Sequence, residues 1–255
     1  MNSTKVSNIF CKLLCVILLL ILPSEMACCC DNSMLELLTG SSSQESVSAK
    51  LLVISSKMQV TATHAQSFNH AAAEKMHHEV MESWLYVASQ ITSNPPGAAA
   101  DNNDFHPVIV LISRDLGSIR QQILQRQLED VHDQLEICVS RMSLLAAMIN
   151  GHLRMRDFLR FELLILSLRP KSRSFVPGRD MILSSDFLTV LDSLGLHESP
   201  AVMEKVALLK KLFLVLRDTV SADQNRFSTA TLTSYLALYN EFAEFKKLLL
   251  SEKYF

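Results

Sequence analysis

The chain reads as an all-α protein, an up-down helical bundle with long helices and one or two long crossover loops. Two observations carry this. There are only 6 Gly and 7 Pro in 255 residues, and helix interiors exclude both, so long intervals without them are helix candidates. Within those intervals apolar residues recur every three or four positions, the spacing of one buried helical face. Only His106 to Ile112 (HPVIVLI) has a β-like composition, and one strand makes no sheet.

Residues 1–29 have the make-up of a cleaved secretory signal peptide. Lys5 and Lys12 accompany the apolar run LLCVILLLILP, which is shorter than the roughly 20 apolar residues a membrane span needs. Ala27 and Cys29 are the small residues expected before a cut at Cys30, and cuts after Ser24 or Ala27 are the alternatives. Left uncleaved, the segment becomes an anchor with Cys28, Cys29 and Cys30 open to acylation. The expected destination is therefore extracellular, as a secreted protein with no stable membrane insertion after cleavage.

Export gives the cysteines a meaning. A cut before Cys30 leaves Cys30 and Cys138, a pair able to close a disulfide in an oxidising compartment. The alternative is that Cys138 is a buried thiol. A cut after Ala27 leaves four cysteines and three connectivities. The whole chain carries 24 Lys+Arg against 26 Asp+Glu, a charge of -2. Loss of Lys5, Lys12 and Glu25 leaves 22 against 25, or -3, which excludes a nucleic-acid binder by overall charge.

After a polar leader at 30–44, residues 45–255 form the expected bundle domain. Val47, Leu51, Ile54 and Met58 open an apolar stripe, and Met76, Val80, Trp84, Ala88 and Ile91 continue or restart it after a polar stretch. Residues 93–107 (TSNPPGAAADNNDFH) are the clearest loop. Leu124, Leu128, Val131, Leu135, Cys138, Met142, Leu145 and Ile149 make the strongest seam. Residues 169–180 (RPKSRSFVPGRD) are a second loop, and 186–194 a shorter helix. Ser199-Pro200 supplies an N-cap and a first-turn proline ahead of Val202, Val206, Leu209, Phe213, Leu216 and Val220. Leu232, Tyr235, Tyr239, Phe242 and Leu249 form the last stripe.

Chemical motifs are weak. His78-Glu79 followed by Glu82 approaches the zinc-protease pattern H-E-x-x-H but lacks its second histidine. His70, Glu74 and His77 share one helical face, a spacing that serves a divalent ion but more commonly a solvated polar face. The sequence carries no G-x-S-x-G, Walker loop or G-x-G-x-x-G. The expectation is a non-enzymatic protein without metal or cofactor. Charge is less even than the total implies: residues 141–179 hold eight basic residues against Asp157 and Glu162. Arg154, Arg156, Arg160, Arg169, Lys171, Arg173 and Arg179 are the candidate contact patch, suited to acidic glycans or an acidic receptor surface. The alternative is a face paired with acids between Glu129 and Glu136. Met142, Met148 and Met155 fit a gap-filling core or an adaptable surface. No N-x-[ST] sequon follows the signal.

A signal at 1–29, seams at 124–149, 202–220 and 232–249, and a first helical region at 45–92 together resemble the long-chain four-helix-bundle cytokines in architecture, without matching a family motif. The region 45–92 is long for one such helix. The resemblance implies a secreted signalling ligand that presents helix faces to cell-surface receptors and has no active site. The other function class is a secreted carrier enclosing a lipid or other hydrophobic ligand between its helices.

Overall fold

A computed structural model describes residues 34–35, 47–95, 105–169, 186–195, 199–222 and 228–251. The signal, Cys30, Lys171, Arg173 and Arg179 lie outside these. Among the described residues the structure is all-α. Its principal helices are α1 (Val47–Gln66), α2 (His70–Ser93), α3 (Phe105–Leu124), α4 (Val131–Ile149), α5 (Leu153–Ser167), α6 (Asp186–Gly195), α7 (Pro200–Ala222) and α8 (Thr229–Ser251).

Helices α1 and α2 run antiparallel, as their cross-contacts record. Lys50 meets Gln90 and Lys57 meets Glu79 between α1 and α2. At the end of α4, Asn150 donates to the Ser48 hydroxyl at the start of α1 (2.8 Å), so α1 packs on α4 as well as α2. The first four helices thus close into a ring. The last four form a second set, in which Phe158 of α5 stacks on Phe242 of α8. Helix α4 joins the two sets, and 14 of its 19 residues are buried. A helix apolar nearly all round needs partners on both sides.

The expected stripes at 47–58 and 202–220 turn inward: Leu51, Ile54 and Met58 are buried, as are all six residues of the latter. Ser199 caps α7 through the Val202 N–H. Three boundaries differ from the sequence reading. The β-like run 106–112 is helical, because Ile109 and Ile112 continue into Leu116, Ile119 and Ile123 at helical spacing. Pro107 sits in the first turn, where its missing N–H leaves no bond unmade. Gly117 is inside α3 rather than at its edge. The 124–149 seam is broken at 125–130, so Leu124 is exposed while Leu128 is buried.

Backbone geometry explains these breaks. Gly151 (φ 70), Phe68 (φ 53) and Arg126 (φ 59) are all left-handed. At each, the next N–H bonds five residues back: His152 to Ala147, Asn69 to His64, Gln127 to Gln122. These are Schellman endings, usually assigned to glycine. Two of the three carry a side chain instead, so glycine punctuation does not reveal them.

The core is one contiguous cluster spanning both helix sets. Trp84 and aliphatic residues fill the first set, whereas Phe158, Phe161, Phe187, Phe213, Phe242 and Phe245 form a continuous aromatic chain through the second. Met142, Met148 and Met155 are buried in this core.

Candidate functional site

The basic segment 141–179 does not form one surface. Arg141 pairs with Asp115 of α3. Arg154 and Arg160 are exposed on α5, Arg156 is half-buried, and Asp157 stands 3.4 Å from Arg156 and 3.9 Å from Arg160. Arg169, just past the end of α5, turns inward. Its guanidinium reaches Asp133 at 2.6 Å and Glu136 at 2.7 Å, and it lies over the Tyr239 ring at 5.5 Å. Of the disulfide candidates, Cys138 is buried in α4 and Cys30 is outside the described residues.

Arg169 belongs to a buried polar layer between α4, α5 and α8. Burial opposes the charge of Asp133 but is outweighed by the His132 hydrogen bond and by Arg169, holding its carboxyl below the ordinary range. At Glu136 burial prevails over the same guanidinium and raises the carboxyl. Tyr235 is pushed up to about 12, chiefly by burial. One turn further along α4, Ser140 donates to Glu162 of α5 (2.7 Å), and the other Glu162 oxygen accepts from Lys246 of α8 (2.6 Å). Tyr239 donates to Glu136 at 3.3 Å.

Glu136, Ser140, Glu162, Tyr239 and Lys246 line a cavity of about 150 Å³ together with the apolar Val139, Leu166, Phe242 and Leu250. Its rim includes Lys247, which is exposed and paired with Glu244. One ligand atom each from His132, Asp133 and Glu136 falls within a 4.8 Å group, a set able to hold a metal. The Arg169 guanidinium lies at hydrogen-bond distance of both carboxylates, however, and already supplies the positive charge. Lys246 is absent from the sequence reading, in which Glu162 figures only as an acid inside the basic segment and Glu136 only as the end of the acidic stretch 129–136. A signal was available: Lys246 falls in phase with Phe242 and Leu249 on a buried stripe, and Glu162 interrupts an apolar run.

The ring nitrogens of His70 and His77 face backbone carbonyls of α3. His70 donates to the Ile123 carbonyl, and His77 Nε2 donates to that of Leu116 (3.0 Å). Trp84 donates to Ser113, whose hydroxyl donates to the Ile109 carbonyl. Donors at 70, 77 and 84, seven residues apart on α2, thus meet acceptors at 123, 116 and 113 on α3, the last relayed to the Ile109 carbonyl. His77, expected on a polar face, is buried at 2% exposure. Glu74 is 3.8 Å from His70. His78 pairs with Glu82 and Glu79 with Lys57, so the H-E-x-x-E motif is a set of surface ion pairs.

Exposed apolar residues occur on several helices, Met203, Leu208 and Val215 on α7 among them. Val53 and Val60 are one heptad apart on α1, next to Lys50 and Lys57, which reach Gln90, Ser83 and Glu79 of α2. Tyr86 lies on the same side of α2, 61% exposed, with Lys50 5.6 Å from its ring centre. The outer α1–α2 face therefore carries an apolar strip flanking an ion-paired seam. No helix among the described residues is long and apolar enough to cross a membrane. Comparison with protein-family models, curated proteins and solved structures finds no match to the chain.

Proposed function

We propose that the chain is a secreted, non-enzymatic helical signalling ligand, cytokine-like in architecture, that binds a cell-surface receptor through the outer face of α1 and α2. The observation that carries this reading is the exposure of Val53, Val60 and Tyr86 on that face, while the inward stripes are consumed in the core. Exposed aromatic and aliphatic residues rimmed by polar pairs are the usual composition of a contact surface, and tyrosine is enriched among its energetic anchors. Arg154 and Arg160, exposed on α5, offer a separate basic contact for acidic glycans. The signal-like segment at 1–29 supports export.

The test is binding of the secreted protein to cells of its source. Tyr86→Ala should weaken binding by about 30-fold if Tyr86 is an anchor worth roughly 2 kcal/mol, with thermal stability unchanged because the ring is exposed. Binding unaffected by both Tyr86→Ala and Val53→Glu would reject the surface.

The carrier reading rests on the cavity between α4, α5 and α8. At about 150 Å³ it falls below the roughly 300 Å³ at which drug-sized pockets begin, which favours the receptor reading over carriage of an acyl chain. Native mass spectrometry of secreted protein separates them: a co-purified lipid supports the carrier.

A further inference from the structure

Helix α7 packs against α6 and α8 and buries the stripe that runs from Val202 to Val220. A second face of the same helix is left outside. Ala201, Glu204, Leu208, Lys211 and Val215 follow one another along it, and all five are exposed, Leu208 at 37% and Val215 at 46%. Steps of three and four keep these positions on one line along the helix, about 21 Å long at 1.5 Å per residue. The two charges on that line are unused: among the described residues neither Glu204 nor Lys211 has an ion-pair partner, whereas neighbouring Lys205 and Lys210 are held by Glu241 of α8 and Asp192 of α6.

One Glu and one Lys are ordinary on a solvated helix face. What sets this face apart is its symmetry. Leu208 is the midpoint of the line from Ala201 to Val215, and it lies within half a residue of the midpoint between Glu204 and Lys211. Turned end for end, the face therefore meets itself in register. A two-fold axis at Leu208 puts Glu204 beside the second copy's Lys211, Lys211 beside its Glu204, and Val215 over its Ala201, so that every contact is made twice. A parallel arrangement would instead set Glu204 on Glu204 and Lys211 on Lys211, which like-charge repulsion opposes. Asp218, the next exposed position on the line, falls outside the overlap. Pairing Lys211 with Asp218 would shift the register and set the apolar Leu208 against Ser221.

We propose that the outer face of α7 is a self-association surface, on which a second copy of this chain docks with its own α7 antiparallel, Leu208 on the axis and two Glu204–Lys211 ion pairs astride it. Leu208 and Val215 supply the apolar contact, and the charges fix direction and register. A strip one helix wide lies at the small end of protein interfaces, where association is weak and reversible. The surface leaves the α1–α2 face open, so it stands or falls separately from the receptor reading.

Sedimentation velocity of the full chain, from micromolar to near-millimolar concentration, should show a reversible monomer–dimer equilibrium. Glu204→Lys and Lys211→Glu each turn two attractive pairs into two repulsive ones, and each should weaken self-association at least about tenfold. Both side chains are exposed, so the circular dichroism spectrum should not change. The double variant Glu204→Lys/Lys211→Glu restores opposite charges across the axis and should dimerise like the unsubstituted protein. An equimolar mixture of the two single variants should form a mixed dimer that neither forms with itself. A chain that stays monomeric throughout, self-association undiminished by Glu204→Lys, or a mixture of single variants that stays monomeric overturns the proposal. Sensitivity to Lys211→Glu and Asp218→Lys but not to Glu204→Lys would mark the shifted register and overturns it as well.

Discussion

Replacing Phe68 with glycine should stabilise the protein, against the ordinary expectation for deleting an aromatic side chain. Phe68 has φ 53 and ends α1 through bonds from its own N–H to Ala65 and from Asn69 N–H to His64. A residue with a Cβ in the left-handed region costs about 1–2 kcal/mol relative to glycine. Its ring is 71% exposed, so little apolar burial is forfeited. Glycine's larger unfolded-state entropy takes back about 0.5–1 kcal/mol, leaving a net gain near 0.5–1 kcal/mol. For a chain of this size that is about 1–4 °C in Tm. Phe68→Ala retains the Cβ and should gain nothing, while Gly151→Ala, at φ 70, should lose about 1 kcal/mol. Calorimetric melting of the three variants is the assay. If Phe68→Gly is no more stable than Phe68→Ala, backbone strain does not govern this junction.

Other outcomes follow from the same geometry. Gly117→Ala should add about 1 kcal/mol in urea unfolding, because Gly117 is inside α3 and a Cβ there meets no atom within 4 Å. Glu162→Leu should cost about 3–5 kcal/mol by stranding Lys246 in the core, and Lys246→Met in the same chain should recover most of it; a double variant as unstable as the single would show that the pair is not an isolated unit. Burial, aided by Arg120, lowers the His77 titration below the ordinary imidazole value of 6.5, so the native state holds this ring neutral. Its contribution is complete above pH 6.5 and declines as pH falls below that value, by at most about 1.4 kcal/mol per unit. Urea unfolding at pH 7.5 and 5.5 should show a smaller acid loss for His77→Gln than for the unsubstituted protein; an equal loss would place the acid sensitivity elsewhere.

Helix content, the inward stripe of α7 and its Ser199-Pro200 start were legible from the sequence, because periodicity and capping act within one or two turns. Helix ends at Phe68 and Arg126 were not. The left-handed residue there is imposed by the packing of α1 on α2 and of α3 on α4, and neither side chain advertises it. The candidate sites divide in the same way. Arg169 counts as one more basic residue in the segment 141–179, yet its place is among carboxylates 33 to 36 positions earlier in the chain. His77 reads as polar-face and is buried, because the acceptor that satisfies it is a backbone carbonyl of α3, and backbone acceptors leave no mark in side-chain patterns.

By itself, then, the amino-acid order determined that this chain makes long amphipathic helices: local spacing sets which face is apolar. Tertiary structure alone decided how those faces are shared, with α4 buried between two helix sets. It also decided which charges are internal, since Glu136, Glu162, Lys246 and Arg169 are tolerated only through partners brought by other helices. An ion pair across the core depends on distance in space, and local sequence periodicity carries no record of that distance.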